Sequence, residues 1–485
     1  ADFCFASTAS SVTAMTLSFT PAVRAPVVAH ETKSSVEKYL LETSAFDSGQ
    51  FAPTEKIRTL VVNNFPDLGK ASAFRFLEWV QENPEGVCSL PTGKTPEFFI
   101  KWVQRILKEW ETPEIQKEVQ TYGLKPTKPD FSKLVFVQID EFFPISPTQH
   151  NSFFYYVNKY YIEGFGFNPE NCLLIDCSKI GLEQKAVYGP TGEVEDHILV
   201  ESMEDVFPGG SVDLSLRVRE ASTRQERVQQ RVLRQVDQWC AEYEEKIRSL
   251  GGIGFFMGGI GPDGHIAFNC RGCPHHSTTR LDELNYESQA AAAGDLGGIE
   301  AVRKRKVITI GLGTITFNPD CVALTCAAGE AKAQVVRQAV EETRHVQYPG
   351  TALHCLPNAV FFITTGAAKL MSERRIAQMQ QRETISDEVL METLVNLSVK
   401  TRKRLVDLTA EDAAACPFTS SMLTKCAKPL KELAEQVRDS LTAKIEKGCR
   451  SITDTKFLHT EPHHDDIMLG YLPGVLRHTR GVTND

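Results

Sequence analysis

Between residue 54 and about residue 368, short apolar runs alternate with amphipathic stretches. Seven runs read as strands: residues 87–90, 134–139, 172–175, 253–257, 307–310, 321–324 and 359–363. Most are β-branched or otherwise apolar and stop near Gly, Pro or Asp, as strands buried on both faces do. Apolar positions return at helical spacing over residues 72–81, 96–110 and 224–249. Strand–helix alternation of this kind predicts an α/β domain with a doubly wound, open parallel sheet of Rossmann-like form. In such a sheet ligands bind beyond the carboxyl ends of the strands.

The pattern also sets boundaries. Residues 54–370 form the expected α/β domain. A polar excursion at about 183–225 is punctuated by Gly189-Pro190 and Pro208-Gly209-Gly210. Residues 371–455 read as a charged helical connector. Residues 1–53 read as an N-terminal extension, either a targeting segment or a disordered one. Its first thirty residues are rich in Ala, Ser, Thr and Val, with one Arg (Arg24) and one acid (Asp2).

Composition narrows the class. With 485 residues, 42% hydrophobic and 24% charged, the chain is long enough for one large core and a second part,. A net charge of −9 gives no electrostatic reason for nucleic acid or an acidic membrane as partner,. No apolar run approaches the length of a membrane span, so a soluble protein is expected. Thirteen cysteines without a disulfide rhythm favour a reducing compartment,. Cys270-Arg271-Gly272-Cys273, followed by His275 and His276, leaves a redox or zinc reading open, but no second pair stands at zinc-finger spacing,.

Two motifs are near misses. Gly93-Lys94-Thr95 resembles the end of a nucleotide-binding phosphate loop, yet Cys88 stands where that loop needs glycine,. Gly259 to Gly264 matches the dinucleotide fingerprint literally, but Asp263 in the turn would repel a pyrophosphate, and no clear helix follows,. No Gly-x-Ser-x-Gly elbow is present,.

Polar groups gather at four strand ends. In Ser89-Leu90-Pro91-Thr92-Gly93-Lys94-Thr95-Pro96, a turn with two threonines, Lys94 and exposed helix-start amides suits a monophosphate; a plain β–α turn is the equal alternative,. Asp140 and Glu141 close an apolar strand, and burial there would raise a carboxyl towards the pKa of a useful base. Asp263 and His265 share a glycine-rich turn, Gly258 to Asn269, where the acid can orient the imidazole. Lys332 opens a helix, against the helix dipole, which hints at an anion.

In this order, Leu90-Pro91-Thr92-Gly93, Asp140-Glu141, Gly261 to Asn269, Gly311-Leu312-Gly313-Thr314 and Lys332 resemble the glucosamine-6-phosphate deaminase family, as does a helix over 151–161 entered through His150-Asn151-Ser152. The resemblance spans roughly residues 54–368. It implies conversion of glucosamine 6-phosphate to fructose 6-phosphate and ammonia. Asp140 would be the base that moves the proton between C2 and C1, and His265 would assist ring opening with Asp263 beside it. Glu141, Asn269 and Cys270 would support them. Thr92, Gly93, Lys94, Thr95 and Lys332 would bind the phosphate. A small-molecule sugar phosphate is the implied partner, with no nucleic acid, membrane, metal or organic cofactor for this domain; a homo-oligomer stays open. A cytoplasmic location is expected, with organellar import left open by the N-terminal composition.

The chain departs from this family at several places. The glutamate expected directly after Asn269 is Cys270. The lid arginine is missing where Ala290 to Asp295 stand, and Lys94 would supply the charge. Of the regulatory phosphate site, Arg280 fits but Asp282 falls where lysine is expected, so family-type activation is not anticipated. Gly261 to His265 also resembles the 6-phosphogluconolactonases, which makes a lactonase the enzymatic alternative and a weakened phosphosugar-binding domain the non-catalytic one.

Thr460 to Ile467 resembles the His-Pro-Asp-Asp-Glu signature of zinc-dependent N-acetyl sugar deacetylases. His463 and Asp466 would bind zinc and Asp465 would act as base. His464 replaces the proline and Ile467 the acid, so residues 456–485 are expected to be an incomplete start of such a domain.

Overall fold

The computed structural model describes residues 32–43, 54–182, 202–450, 452, 455–460 and 465–479. The chain divides into two compact units, one of residues 1–326 with 340–363 and the other of residues 327–339 with 364–485.

Ten strands lie among the described residues: β1 (Arg58–Val62), β2 (Val87–Ser89), β3 (Val135–Val137), β4 (Asp140–Phe143), β5 (Cys172–Leu173), β6 (Phe255–Gly259), β7 (Arg280–Asp282), β8 (Lys306–Thr309), β9 (Val322–Ala327) and β10 (Val360–Thr364). Seven form one sheet in the order β1-β10-β9-β6-β2-β3-β5, and three form a second in the order β4-β8-β7. The β2·β3, β2·β6, β3·β5 and β6·β9 pairs are parallel. β1, β2, β9 and β10 are buried along their whole length, which is why they read as unbroken apolar runs,.

The open parallel sheet is as expected, with two corrections. The run at 307–310 becomes β8 and joins the small antiparallel sheet instead, between β4 and β7. β1, β4 and β7 are missing from the expected set; β1 obeys the same apolar rule, whereas Asp-Glu-Phe-Phe and Arg-Leu-Asp carry little strand signal.

Helices cover the sheet where periodicity predicts them. Helix Phe65–Glu82 is capped by Asn64, whose side chain accepts from the Asp67 amide at 2.9 Å,. Helix Glu97–Lys108 follows β2, and helix Arg224–Ser249 opens with a Thr223/Glu226 capping box,. The apolar faces of the first two meet in an aromatic core: the Phe76 ring lies 5.1 Å from Phe255 of β6, 5.7 Å from Phe99 and 5.9 Å from Phe131. Each such buried ring contributes about 1.5–3 kcal/mol.

Within the stretch read as an extension, helix Ser35–Thr43 is packed into the unit. Its Glu37 accepts from Arg75 at 2.8 Å, and Glu78 accepts from the Ser35 amide at 2.6 Å. Gly189-Pro190 lies outside the described residues; the excursion resumes as helix Met203–Val206 and the 3-10 turns Pro208–Gly210 and Leu214–Arg217.

The second unit is helical where a helical connector was expected. Met379, Leu390, Leu394, Met422, Leu433, Ala434 and Val437 form its core, drawn from helices Ser372–Gln381, Asp387–Thr401, Pro417–Leu423 and Leu430–Cys449. No described helix is long and apolar enough to cross a membrane. At its end, His463 and His464 lie outside the described residues, Asp466 precedes the π-helical turn Ile467–Tyr471, and the described residues of 451–459 form no strand.

Candidate active site

The site grows from the carboxyl ends of β2 and β6. After β2 the chain turns at Gly93, whose φ of +82° suits glycine, and enters helix Glu97–Lys108 with no side chain capping its first turn,. Tyr156 and Tyr161 donate to the carbonyls of Gly93 (2.9 Å) and Pro91, which pins this turn to the helical segment after Ser152. Thr95 packs on Gly259 at the end of β6: a Cβ there would stand 3.3 Å from Thr95 Oγ1. Thr92, Gly93, Lys94 and Thr95 therefore border the second glycine turn, and Lys94 is exposed.

The expected strand ending in Asp140-Glu141 stops earlier, at Val137. Gln138 turns the chain out of the sheet: its side chain donates to the Asp140 carbonyl at 2.9 Å and accepts from the Ile175 amide at 2.9 Å. Asp140 then opens β4, opposite Thr309 of β8. Thr309 in turn accepts from the Phe268 amide at 3.1 Å, so β8 fastens the His265 loop beside Asp140. Asp140 is 7% exposed. Burial pushes its carboxyl up to about 8, with Glu141 adding to the shift and His265 opposing it,.

In the β6 turn, Gly261 makes room for the imidazole. A Cβ there would fall 2.0 Å from His265 Cε1. Asp263 Oδ1 lies 2.5 Å from His265 Nδ1, while its Oδ2 accepts from the Arg271 amide at 3.1 Å and from Asn285 at 2.6 Å. Burial works against the Asp263 charge, but these hydrogen bonds, His265 first, hold its carboxyl well below the usual range. Burial likewise opposes charge on His265, yet Asp263 and then Cys270 overcome it and raise the imidazole to about 9. The result is a pre-formed imidazolium–carboxylate pair.

Three expected supporting residues play different parts. Glu141 is fully buried and accepts from the amides of Phe142 (2.9 Å), Phe153 (3.1 Å) and Phe154 (2.7 Å) and from Ser152 Oγ (2.7 Å). It caps helix Phe153–Val157, which begins two residues later than expected. Burial still lifts its carboxyl to about 7 against those donors. Asn269 is also fully buried. It donates to the Ile266 and Ile310 carbonyls (3.0 and 2.9 Å) and accepts from Ser277 (3.2 Å) and Arg280 (2.9 Å), so it ties loops together. Cys270 alone of the three reaches the centre, with ligand atoms of Asp263, His265 and Cys270 all within 4.8 Å of one another.

That trio is the one metal-like cluster among the described residues. The 2.5 Å Asp263–His265 contact is a hydrogen bond, well inside the ~3.3 Å that two donors of one tetrahedral ion keep,. Cys273 donates to Asn269 at 3.3 Å and receives Arg280 at 3.2 Å, so the Cys270–Cys273 zinc reading gains no support. Arg280 also pairs with Asp282 at 2.8 Å.

Lys332 lies in the second unit, at the end of the 3-10 turn Glu330–Lys332. The motifs gave no sign of Asn285 and Ser288, which flank the Asp263–His265 pair from the start of helix Tyr286–Leu296. The only signal was an ordinary helix-capping Asn.

No family model matches the chain. Among curated proteins, the glucosamine-6-phosphate deaminase of Bacillus velezensis is 26% identical over 312 residues, covering 64% of this chain and 99% of the relative. That of Clostridium perfringens is 25% identical over 315 residues, covering 65% and 100%. Over this stretch the chain is homologous to the glucosamine-6-phosphate deaminases. A shorter match, to the Borreliella burgdorferi enzyme of that name, reaches 37% over 121 residues, 25% of this chain and 44% of the relative. Among solved structures, a monomeric glucosamine-6-phosphate deaminase matches with TM-score 0.46 at 22% identity, covering 65% of this chain and all of that one. A 6-phosphogluconolactonase from Leishmania guyanensis matches with TM-score 0.39 at 14% identity, covering 66% and 99%. The four longer matches cover about two thirds of the chain.

Proposed function

We propose that this chain isomerises and deaminates an amino-sugar 6-phosphate, converting glucosamine 6-phosphate and water to fructose 6-phosphate and ammonia. The observation that carries the proposal is the pairing of a buried, high-pKa Asp140 with an imidazolium held by Asp263, in a stretch homologous to the deaminases. Opening the pyranose ring needs a proton at the ring oxygen, and His265 is charged to give one. An aldose–ketose shift then needs one carboxylate to take the C2 proton and return it to C1, the part of Asp140. Water hydrolyses the resulting imine and releases ammonia. Thr92 to Thr95 would anchor the phosphate through turn amides and hydroxyls, with Lys94 as the cation, so that binding energy positions the reacting carbons. None of these steps calls for a metal or organic cofactor. The twelve described cysteines are all free thiols, which supports a reducing, cytoplasmic setting,.

The test is release of ammonia and fructose 6-phosphate by purified full-length protein given glucosamine 6-phosphate, with 6-phosphogluconolactone hydrolysis in parallel. Matched release of both products is expected. Lactone hydrolysis alone would make the chain a lactonase. Neither reaction, with a melting temperature still raised by the sugar phosphate, would make it a phosphosugar binder.

A further inference from the structure

The relay glutamate implied by the family resemblance is absent, yet the imidazole is not left loose. Ser288 sits in the first turn of helix Tyr286–Leu296 and is 1% exposed. Its Oγ stands 3.0 Å from His265 Nδ1 and 3.6 Å from Cys270 Sγ. Ser288 is held there by an independent device. Asn285 caps the helix by accepting from the Ser288 amide at 2.9 Å and, with its amide nitrogen, donates to Asp263 Oδ2 at 2.6 Å. The helix start is thereby locked to the acid that orients the ring.

The proton assignment follows from donor and acceptor chemistry. An ionised Asp263 can only accept, so Nδ1 at 2.5 Å carries a hydrogen and has no lone pair to offer,. Ser288 Oγ therefore meets Nδ1–H as a second acceptor. Its own hydrogen is free to point at Cys270 Sγ, a weak acceptor. A cysteine side chain ends two heavy atoms short of a glutamate's, and the Ser288 oxygen stands within reach of both the ring and the sulfur. The other charged groups acting on the ring are Asp263 in its own turn and Asp140 at the start of β4, with the thiol of Cys270 beside them. The Arg271 side chain reaches the Asp263 carbonyl at 3.4 Å.

We propose that Ser288 is a positioning residue that holds His265 in place of the missing carboxylate, its hydroxyl bridging the imidazole and the Cys270 thiol. As a statement about turnover, this rests on the isomerase–deaminase proposal above; as a statement about the imidazole, it does not.

The experiment compares Ser288→Ala and Ser288→Thr in the full chain by steady-state kinetics with glucosamine 6-phosphate and by NMR titration of the His265 ring. Ser288→Ala should lower kcat roughly ten- to hundredfold, the size of one hydrogen bond to a charged group. KM and the melting temperature should hold, and the His265 titration should move to lower pH. Ser288→Thr, which keeps the hydroxyl, should recover most of both. An unchanged titration and kcat in Ser288→Ala overturns the proposal, as does equal loss in the two variants, because packing alone would then explain it. A titration that moves in a chain releasing no ammonia supports the positioning role and defeats the isomerase reading instead.

Discussion

Asp140 and Glu141 are neighbours in β4, so their carboxyls leave opposite faces of the strand,. Glu141 accepts four hydrogen bonds, three of them from Ser152 and the helix it caps. Asp140 is instead raised by burial with no hydrogen bond among the causes of its shift. The pair looks redundant in sequence, and the structure separates it into a chemical group and a structural one.

Exchanging each carboxyl for its amide should therefore give opposite phenotypes. Asp140→Asn should abolish ammonia release while sugar-phosphate binding persists. It should also stabilise the fold at alkaline pH. A carboxyl whose folded pKa is raised binds more protons folded than unfolded, so wild-type stability falls as pH rises from about 4 towards about 8,. An asparagine escapes that loss. Glu141→Gln should instead lower the melting temperature, since its NH2 group would face donors, each unsatisfied one costing about 1–3 kcal/mol. Thermal melts at pH 6 and 9 with parallel assays decide it, and a Glu141→Gln chain as stable as wild type would sink the capping role.

The activity profile against pH should be a narrow bell on the alkaline side. Asp140 must be ionised to accept the C2 proton, so kcat/KM climbs through about 8,. His265 must be protonated to serve the ring oxygen, so the rate falls through about 9. Asp263→Asn removes the charge that sustains the imidazolium and should pull the falling limb to lower pH. A flat profile between pH 6 and 9 in the wild type would falsify the acid–base assignment.

Gly261→Ala tests whether the imidazole must lie across the glycine turn. Its Cβ would land 2.0 Å from Cε1, closer than any non-bonded approach, so the ring has to swing off Asp263. Activity should fall by at least about a hundredfold, in line with losing a general acid, while the melting temperature changes little. Retention of the wild-type His265 NMR titration would show that the ring had not moved.

Much of this was legible in the sequence because it follows from local rules. Unbroken apolar runs marked the parallel sheet, and apolar positions at helical spacing placed helix Arg224–Ser249 to the residue. The glycines of 258–264 announced a turn that something must approach closely, and that something is the His265 ring itself. What stayed hidden depends on tertiary placement. Gln138 ends β3 through bonds to Asp140 and Ile175 that no window of sequence displays. The duties of Glu141 and Asn269 were set by partners 11 to 41 residues away. Asn285 and Ser288 looked like any helix start, and only the fold sets them against Asp263 and His265.

Cys270 offers the sharpest contrast between motif and structure. Read as a failed glutamate, it should be the weak point of the site, and replacing it should matter either not at all or in the direction of repair. The structure places its sulfur beside Ser288 Oγ, with Asp263 already fixing Nδ1. Cys270→Ala removes a weak acceptor for the Ser288 hydroxyl and the lesser of the two groups that raise the imidazole, so the alkaline limit of the pH profile should move to lower pH while kcat stays within about threefold of wild type,. Cys270→Glu inserts a longer anion towards space that Ser288 fills, with the Asp263 charge beside it. It should raise the alkaline limit of the pH profile further, because a second carboxylate favours the imidazolium. It should also cost stability unless paired with Ser288→Gly, which vacates the space. Steady-state rates and melts of the two single variants and the double decide the matter. A hundredfold loss in Cys270→Ala would mean that the thiol itself carries the relay, and Ser288 would then be its accessory.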